Sequence, residues 1–146
     1  MPCSQVAAKL LNICELYGLE ALYAFGSRAH EALELVCGEK GPEQAGEAQS
    51  SDLDIGVKLK PGRRLSVEEK VCLALALEDL FGVGRVDLVL LEEADPFLAA
   101  NIVRGERLYE RDPHLADEYE LYVLRRAGDL APLERERLEL VLRGEG

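Results

Sequence analysis

At 146 residues and 48% hydrophobic content, the chain is long enough for one domain with a real core, and no apolar run approaches bilayer-spanning length. With 28 acidic residues against 17 basic ones, the formal net charge is −11. That balance argues against a sequence-independent grip on nucleic acid, leaves any anionic substrate to a metal ion and a few local donors, and favours a basic protein partner. The amino terminus has no basic region followed by an apolar signal segment, so a soluble, cytoplasmic protein without membrane contact is expected. Cys3, Cys14, Cys37 and Cys72 are scattered without a C-x-x-C pair and the two histidines stand alone, which predicts reduced, mostly packed thiols rather than a zinc site or disulfide framework.

Ser4 can cap a first helix in which Val6, Leu10, Ile13 and Tyr17 recur at helical spacing, with Gly18 as its stop. Ala21–Phe25 reads as a short buried strand running into Gly26-Ser27-Arg28, and Ala29–Val36 reads as a helix opening just beyond that turn. Two readings fit a strand that ends in Gly-Ser at a helix amino terminus. It is an ordinary turn with Ser27 as the cap, or a phosphate cradle in which glycine lets the backbone come close and the serine hydroxyl adds a donor. Cys37–Ser50 is rich in Gly, Glu and Gln, lacks an apolar period, and reads as a surface loop.

In Ser51-Asp52-Leu53-Asp54-Ile55-Gly56-Val57, apolar Leu53, Ile55, Val57 and Leu59 alternate with Asp52, Asp54, Gly56 and Lys58. That is the period of a strand with one face on a core, and it puts both carboxylates on the other side. Side by side they repel, and a hard divalent cation such as Mg²⁺ or Mn²⁺ would remove the conflict. An isolated Asp-x-Asp is more often just a half-exposed strand with two acids on its outer face.

Pro61-Gly62 closes the strand, and Ser66 with Glu69 has capping-box spacing for a helix through Leu80 that carries Val67, Val71, Ala74, Leu75 and Leu77 and stops at Gly82. Arg85–Leu90 is the third strand. Asp87 is a charge inside an aliphatic run, either reaching solvent at a strand end or joining Asp52 and Asp54 as a third acid. Asp95-Pro96 opens a helix to about Arg104, Glu106–Glu110 is a fourth strand, and Asp112-Pro113 opens a fifth helix with Leu115, Tyr119, Tyr122 and Val123 along one side. A last charged helix is expected over Pro132–Arg143, and no internal repeat or clean linker divides the chain.

Gly26-Ser27, then Asp52-x-Asp54 on the next strand, then Asp87 on the third, stand in the order of a nucleotidyltransferase. The chain resembles the minimal nucleotidyltransferases of the polymerase-β superfamily and, more narrowly, the MNT antitoxins paired with HEPN toxins. Phe25-Gly26-Ser27-Arg28-Ala29, Ser51–Val57, Val86-Asp87-Leu88-Val89 and Gly105-Glu106-Arg107-Leu108-Tyr109 carry the likeness over most of the first 111 residues. The resemblance implies an α+β polymerase-β-like fold, a mixed sheet of about four strands flanked by helices. Residues 1–111 would form the minimal nucleotidyltransferase domain and 112–146 a helical extension packed on it.

The resemblance further implies transfer of AMP from ATP to a hydroxyl, a reaction that needs Mg²⁺ or Mn²⁺. Asp52, Asp54 and Asp87 would be the metal ligands and catalytic acids, Gly26, Ser27 and Arg28 would hold the nucleotide, and Lys58 is a weaker candidate. The implied acceptor is a tyrosine on a HEPN-type toxin. A non-catalytic nucleotide- or partner-binding module, transfer to a small molecule, and a homo-oligomer stay open beside it. One departure is the long gap between Ser27 and Asp52. Either Cys37–Ser50 bulges from the sheet, or it shifts the second strand by one residue and turns both acids to the other face; the alternation restarting at Leu53 favours the bulge.

Overall fold

The computed structural model describes residues 5–38 and 52–142; the expected Ser4 cap and most of the Cys37–Ser50 loop lie outside them. In chain order the described residues form α1 (Gln5–Tyr17), β1 (Leu19–Phe25), α2 (Ala29–Cys37), β2 (Leu53–Leu59), α3 (Val67–Phe81), β3 (Val86–Leu90), a 3₁₀ turn (Leu91–Glu93), α4 (Pro96–Val103), β4 (Glu106–Glu110) and α5 (Pro113–Leu142). This is an α+β fold around one mixed sheet in the order β3-β2-β1-β4. β1 pairs antiparallel with β2 and β4, while β2 and β3 run parallel.

The local signals act as read. Ser66 Oγ accepts from the Glu69 N–H at 3.1 Å while the Glu69 carboxylate accepts from the Ser66 N–H at 2.9 Å, and left-handed Gly82 ends α3. Asp95 takes the N–H groups of Phe97 and Leu98 ahead of Pro96 at the first helical position, and Asp112 takes those of His114 and Leu115. β1 starts earlier than expected, at Leu19, which is fully buried.

The sheet separates two apolar clusters. Leu53, Ile55, Val57 and Leu59 point into the larger one with α1, α2 and α3, so β2 keeps the register that its alternation predicts. Ala21, Tyr23 and Phe25 face the smaller one, with Ala99, Ile102, Val123 and Ala127 of α4 and α5. A polar tie fastens α5 there. The buried Tyr23 hydroxyl donates to Glu120 Oε2 at 2.7 Å, and Arg107 donates to Glu120 at 2.8 Å and to Asp117 at 2.9 Å. Burial, with the Glu120 carboxylate beside it, pushes the Tyr23 hydroxyl pKa upward and keeps it a neutral donor.

Four further details differ from the sequence reading. The two expected carboxy-terminal helices are one, with Pro132 inside α5. The proline forfeits one bond to the carbonyl four residues back, but that residue is exposed Gly128, whose carbonyl water can satisfy. α3 buries Leu73, Leu77, Leu80 and Phe81, whereas Val67, Val71 and Leu75 form a second stripe that faces outward. α5 packs through Ala116, Val123 and Ala127, leaving Leu115 and Tyr122 exposed. Of the three described cysteines, all free, Cys14 is buried but Cys37 and Cys72 are exposed.

Gly56 lies under Ile102 of α4, and a Cβ there would stand 2.5 Å from Ile102 Cγ2. Gly56→Ala should cost about 1–3 kcal/mol in urea unfolding through overpacking. Ile102→Ala should cost less in that background than in the wild type, because it removes the clash.

Candidate active site

Asp54 and Asp87 are paired in register on β2 and β3, Asp52 precedes Asp54 by two residues, and a glycine turn follows the end of β1. Phe25 at the end of β1 is the partner of Asp54 on β2, and Asp54 is the partner of Asp87 on β3. Neighbouring strands run about 4.8 Å apart, so registered residues carry their side chains on one face within reach of each other. Asp54 and Asp87 therefore share a face, and Asp52 follows two residues before Asp54 on that side. Asp54 titrates above the ordinary carboxylate range. Burial is the main cause, with the Asp87 and then the Asp52 carboxylate adding repulsion.

Gly26 completes the corner. Its backbone adopts φ +78°, and a Cβ there would run into Asp54 Oδ2. Only glycine brings the main chain this close to the carboxylate without strain. Gly105 plays a supporting part, since a Cβ on it would strike the Ala24 carbonyl and the Phe25 backbone just before the turn. Ser27 is exposed and does not cap α2. The cap position belongs to Arg28, whose own side chain makes no cap bond.

Arg28 differs most from expectation among the turn residues. It is buried at 5% exposure and pairs with Glu31 at 2.7 Å, one turn further along α2. Lys58 also lies apart. It shares the acids' face of β2, but Ile102 over Gly56 stands between them, and Lys58 Nζ pairs with Glu92 at 3.2 Å and lies 5.3 Å from the centre of the Tyr119 ring. The residue that sequence reasoning missed is Arg85. Its Nε lies 3.6 Å from Asp52 Oδ2. The signal was present: a cation two positions before Asp87 shares that residue's face, and the parallel register sets it across from Asp52.

Among the described residues, no group of three His, Cys, Asp or Glu side chains is already arranged to hold a metal ion, and Asp52 turns to Arg85 instead. The donor set nonetheless fits a hard divalent cation. It is all oxygen, and its mutual repulsion is what a cation relieves. Arg85 and a metal would compete for the same carboxylate.

A family model described as "Polymerase beta, Nucleotidyltransferase" matches residues 8–114. No curated protein matches the sequence. Among solved structures, a toxin–antitoxin MntA–HpeT mutant aligns at TM-score 0.67 and 18% identity, covering 93% of this chain and 98% of that one. A toxin–antitoxin with AMP-PNP aligns at TM-score 0.67 and 19% identity, over 93% and 98%. The Shewanella oneidensis complex of a tri-AMPylated HEPN toxin with an MNT antitoxin aligns at TM-score 0.64 and 18% identity, over 94% and 96%. At these identities the likeness establishes the fold.

Two outcomes test the electrostatics without reference to activity. Asp54→Asn should raise the melting temperature in EDTA, because the folded state disfavours the charge that the substitution removes, and it should abolish any Mg²⁺-induced rise. Arg85→Ala should tighten Mg²⁺ binding in calorimetry by about two- to fivefold, the scale of an exposed ion pair.

Proposed function

The chain belongs to the polymerase beta nucleotidyltransferase family, and from that premise we propose that it transfers AMP from ATP to a hydroxyl of a protein acceptor. The observation that carries this reading is the Asp54–Asp87 register pair, with Asp52 beside it, set against the bare backbone of Gly26.

Mg²⁺ or Mn²⁺ held by Asp52, Asp54 and Asp87 would supply the charge that neutralises the phosphates in an in-line displacement. The Gly26 backbone and the exposed Ser27 hydroxyl donate to the β- and γ-phosphate oxygens, beside the amino terminus of α2. Arg28 supports the turn through Glu31. The acceptor oxygen forms a bond to the α-phosphorus as the bond from that phosphorus to the bridging oxygen breaks. Pyrophosphate leaves, and the hydroxyl proton passes to the Asp87 carboxylate.

The acceptor we propose is a tyrosine of a HEPN-type toxin, which makes the protein an antitoxin of the cytoplasm. Support comes from the similar Shewanella oneidensis complex, whose HEPN toxin is tri-AMPylated. ATP as the donor is supported by the similar toxin–antitoxin solved with AMP-PNP.

The test is transfer of label from α-labelled ATP to the products of neighbouring genes, with and without Mg²⁺. Asp87→Asn should lower transfer by about 100-fold or more, the scale of losing a positioned acid–base group, while the fold survives. Equal AMP-PNP affinity with and without Mg²⁺, together with no labelled product, would leave a non-catalytic binding module instead.

A further inference from the structure

β3 is the last strand on its side of the sheet. Leu53 donates its N–H to the Arg85 carbonyl at 3.1 Å, and Leu53 and Val86 are register partners. In a parallel ladder this turns the backbone groups of Arg85, Asp87 and Val89 toward β2 and those of Val86, Leu88 and Leu90 outward. The outward Val86 N–H is taken by Glu78 Oε2 at 3.0 Å. Beyond it, among the described residues, no strand, helix or side chain takes the outward N–H and C=O of Leu88. Native edges are usually blunted by proline, a bulge or a covering element, and none of these lies on Leu88.

The edge forms the floor of a groove of about 570 Å³. α3 gives one wall with Val71 and Ala74, and Leu98 of α4 stands on the other side, with the Lys70–Glu93 pair across one end. Val71 is 53% exposed and belongs to the outward stripe that α3 buries nowhere else. Asp87 lies in the same strand and reaches the sheet face where Asp54 stands. The site already described is therefore continuous with an unpaired backbone edge walled by apolar side chains.

We propose that the β3 edge binds the acceptor as an added strand: an extended protein segment with alternate apolar residues and basic neighbours, carrying its hydroxyl residue opposite Asp87. This rests on the transfer reading above. The free groups of Leu88 call for an extended backbone, and Val71, Ala74 and Leu98 call for alternate apolar side chains. Among the described residues, Glu93 and Asp95 line the groove against the single cation of Lys70, Asp87 stands on the same strand, and the chain carries a net charge of −11, so basic neighbours are called for. A residue paired across from Asp87 projects on the same face, so a tyrosine there brings its hydroxyl to the carboxylate that takes the proton.

The probes are synthetic nonapeptides with a central tyrosine flanked by alternating valine and lysine, and the same peptides N-methylated at alternate backbone positions. Amide exchange in the full chain should slow at Leu88 by about tenfold or more with the first peptide and not with the second. Val71→Lys, at an exposed position, should weaken that protection by about tenfold, because it sets a charge of the peptide's own sign in the apolar wall. No slowing at millimolar peptide, or equal protection in Val71→Lys, would overturn the proposal. So would Leu88 protection that rises with protein concentration alone, which marks pairing between two copies. Peptide that protects Leu88 without receiving label from ATP supports the edge site and removes the transfer reading. Label transferred equally by wild type and Val71→Lys does the opposite.

Discussion

The parallel register of β2 on β3 is the constraint on which the rest depends. It sets Asp54 against Asp87, and the antiparallel pairing with β1 delivers Gly26 to the same corner. Three carboxylates held on one sheet face are unfavourable by themselves, and burial first, then the charges of Asp87 and Asp52, push the Asp54 pKa upward. A fold that retains such a cluster keeps it out of the core and beside the strand ends, where a cation and an anionic ligand can enter. Arg85 provides partial compensation within the chain. Slipping β3 by one residue would turn Asp87 to the opposite face and leave Asp54 without its neighbour.

The face that carries the acids is divided. α4 lays Ile102 on Gly56, and this contact closes the middle of β2. On one side are the carboxylates and the glycine turn. On the other, Lys58, Glu92 and Tyr119 form a separate polar cluster against α5. The same small residue that permits helix–sheet packing thus confines the chemistry to one end of the sheet. α5 holds its place through Ala116, Val123 and Ala127 and through the carboxylate of Glu120, which receives both Tyr23 and Arg107. Its distal half, with Leu133 at 64% exposure and Leu142 at 84%, packs little on the sheet.

No helix among the described residues is long and apolar enough to cross a membrane. The fold is the one seen in MNT antitoxins, and the match to the family model spans the whole sheet. The edge strand and the outward stripe of α3 add a surface that the acid cluster alone would not suggest. Their importance lies in continuity: the free backbone at Leu88 is one residue from Asp87.

The sequence by itself determined whatever is written in short-range pattern. The period-2 alternation of β2 placed Leu53, Ile55, Val57 and Leu59 in the core. The caps at Ser66, Asp95 and Asp112 positioned three helix starts, and the order Gly-Ser, Asp-x-Asp, Asp identified the family. These signals act within a few residues, so one chain suffices to read them. Only the tertiary structure decided that Asp87 meets Asp54, that Arg85 reaches Asp52, that Arg28 turns inward to Glu31, and that Ile102 separates Lys58 from the acids. It also decided which of two apolar stripes on α3 is buried. Periodicity tells which side of an element a residue occupies, but the neighbour that covers that side comes from residues far along the chain, and packing makes the choice.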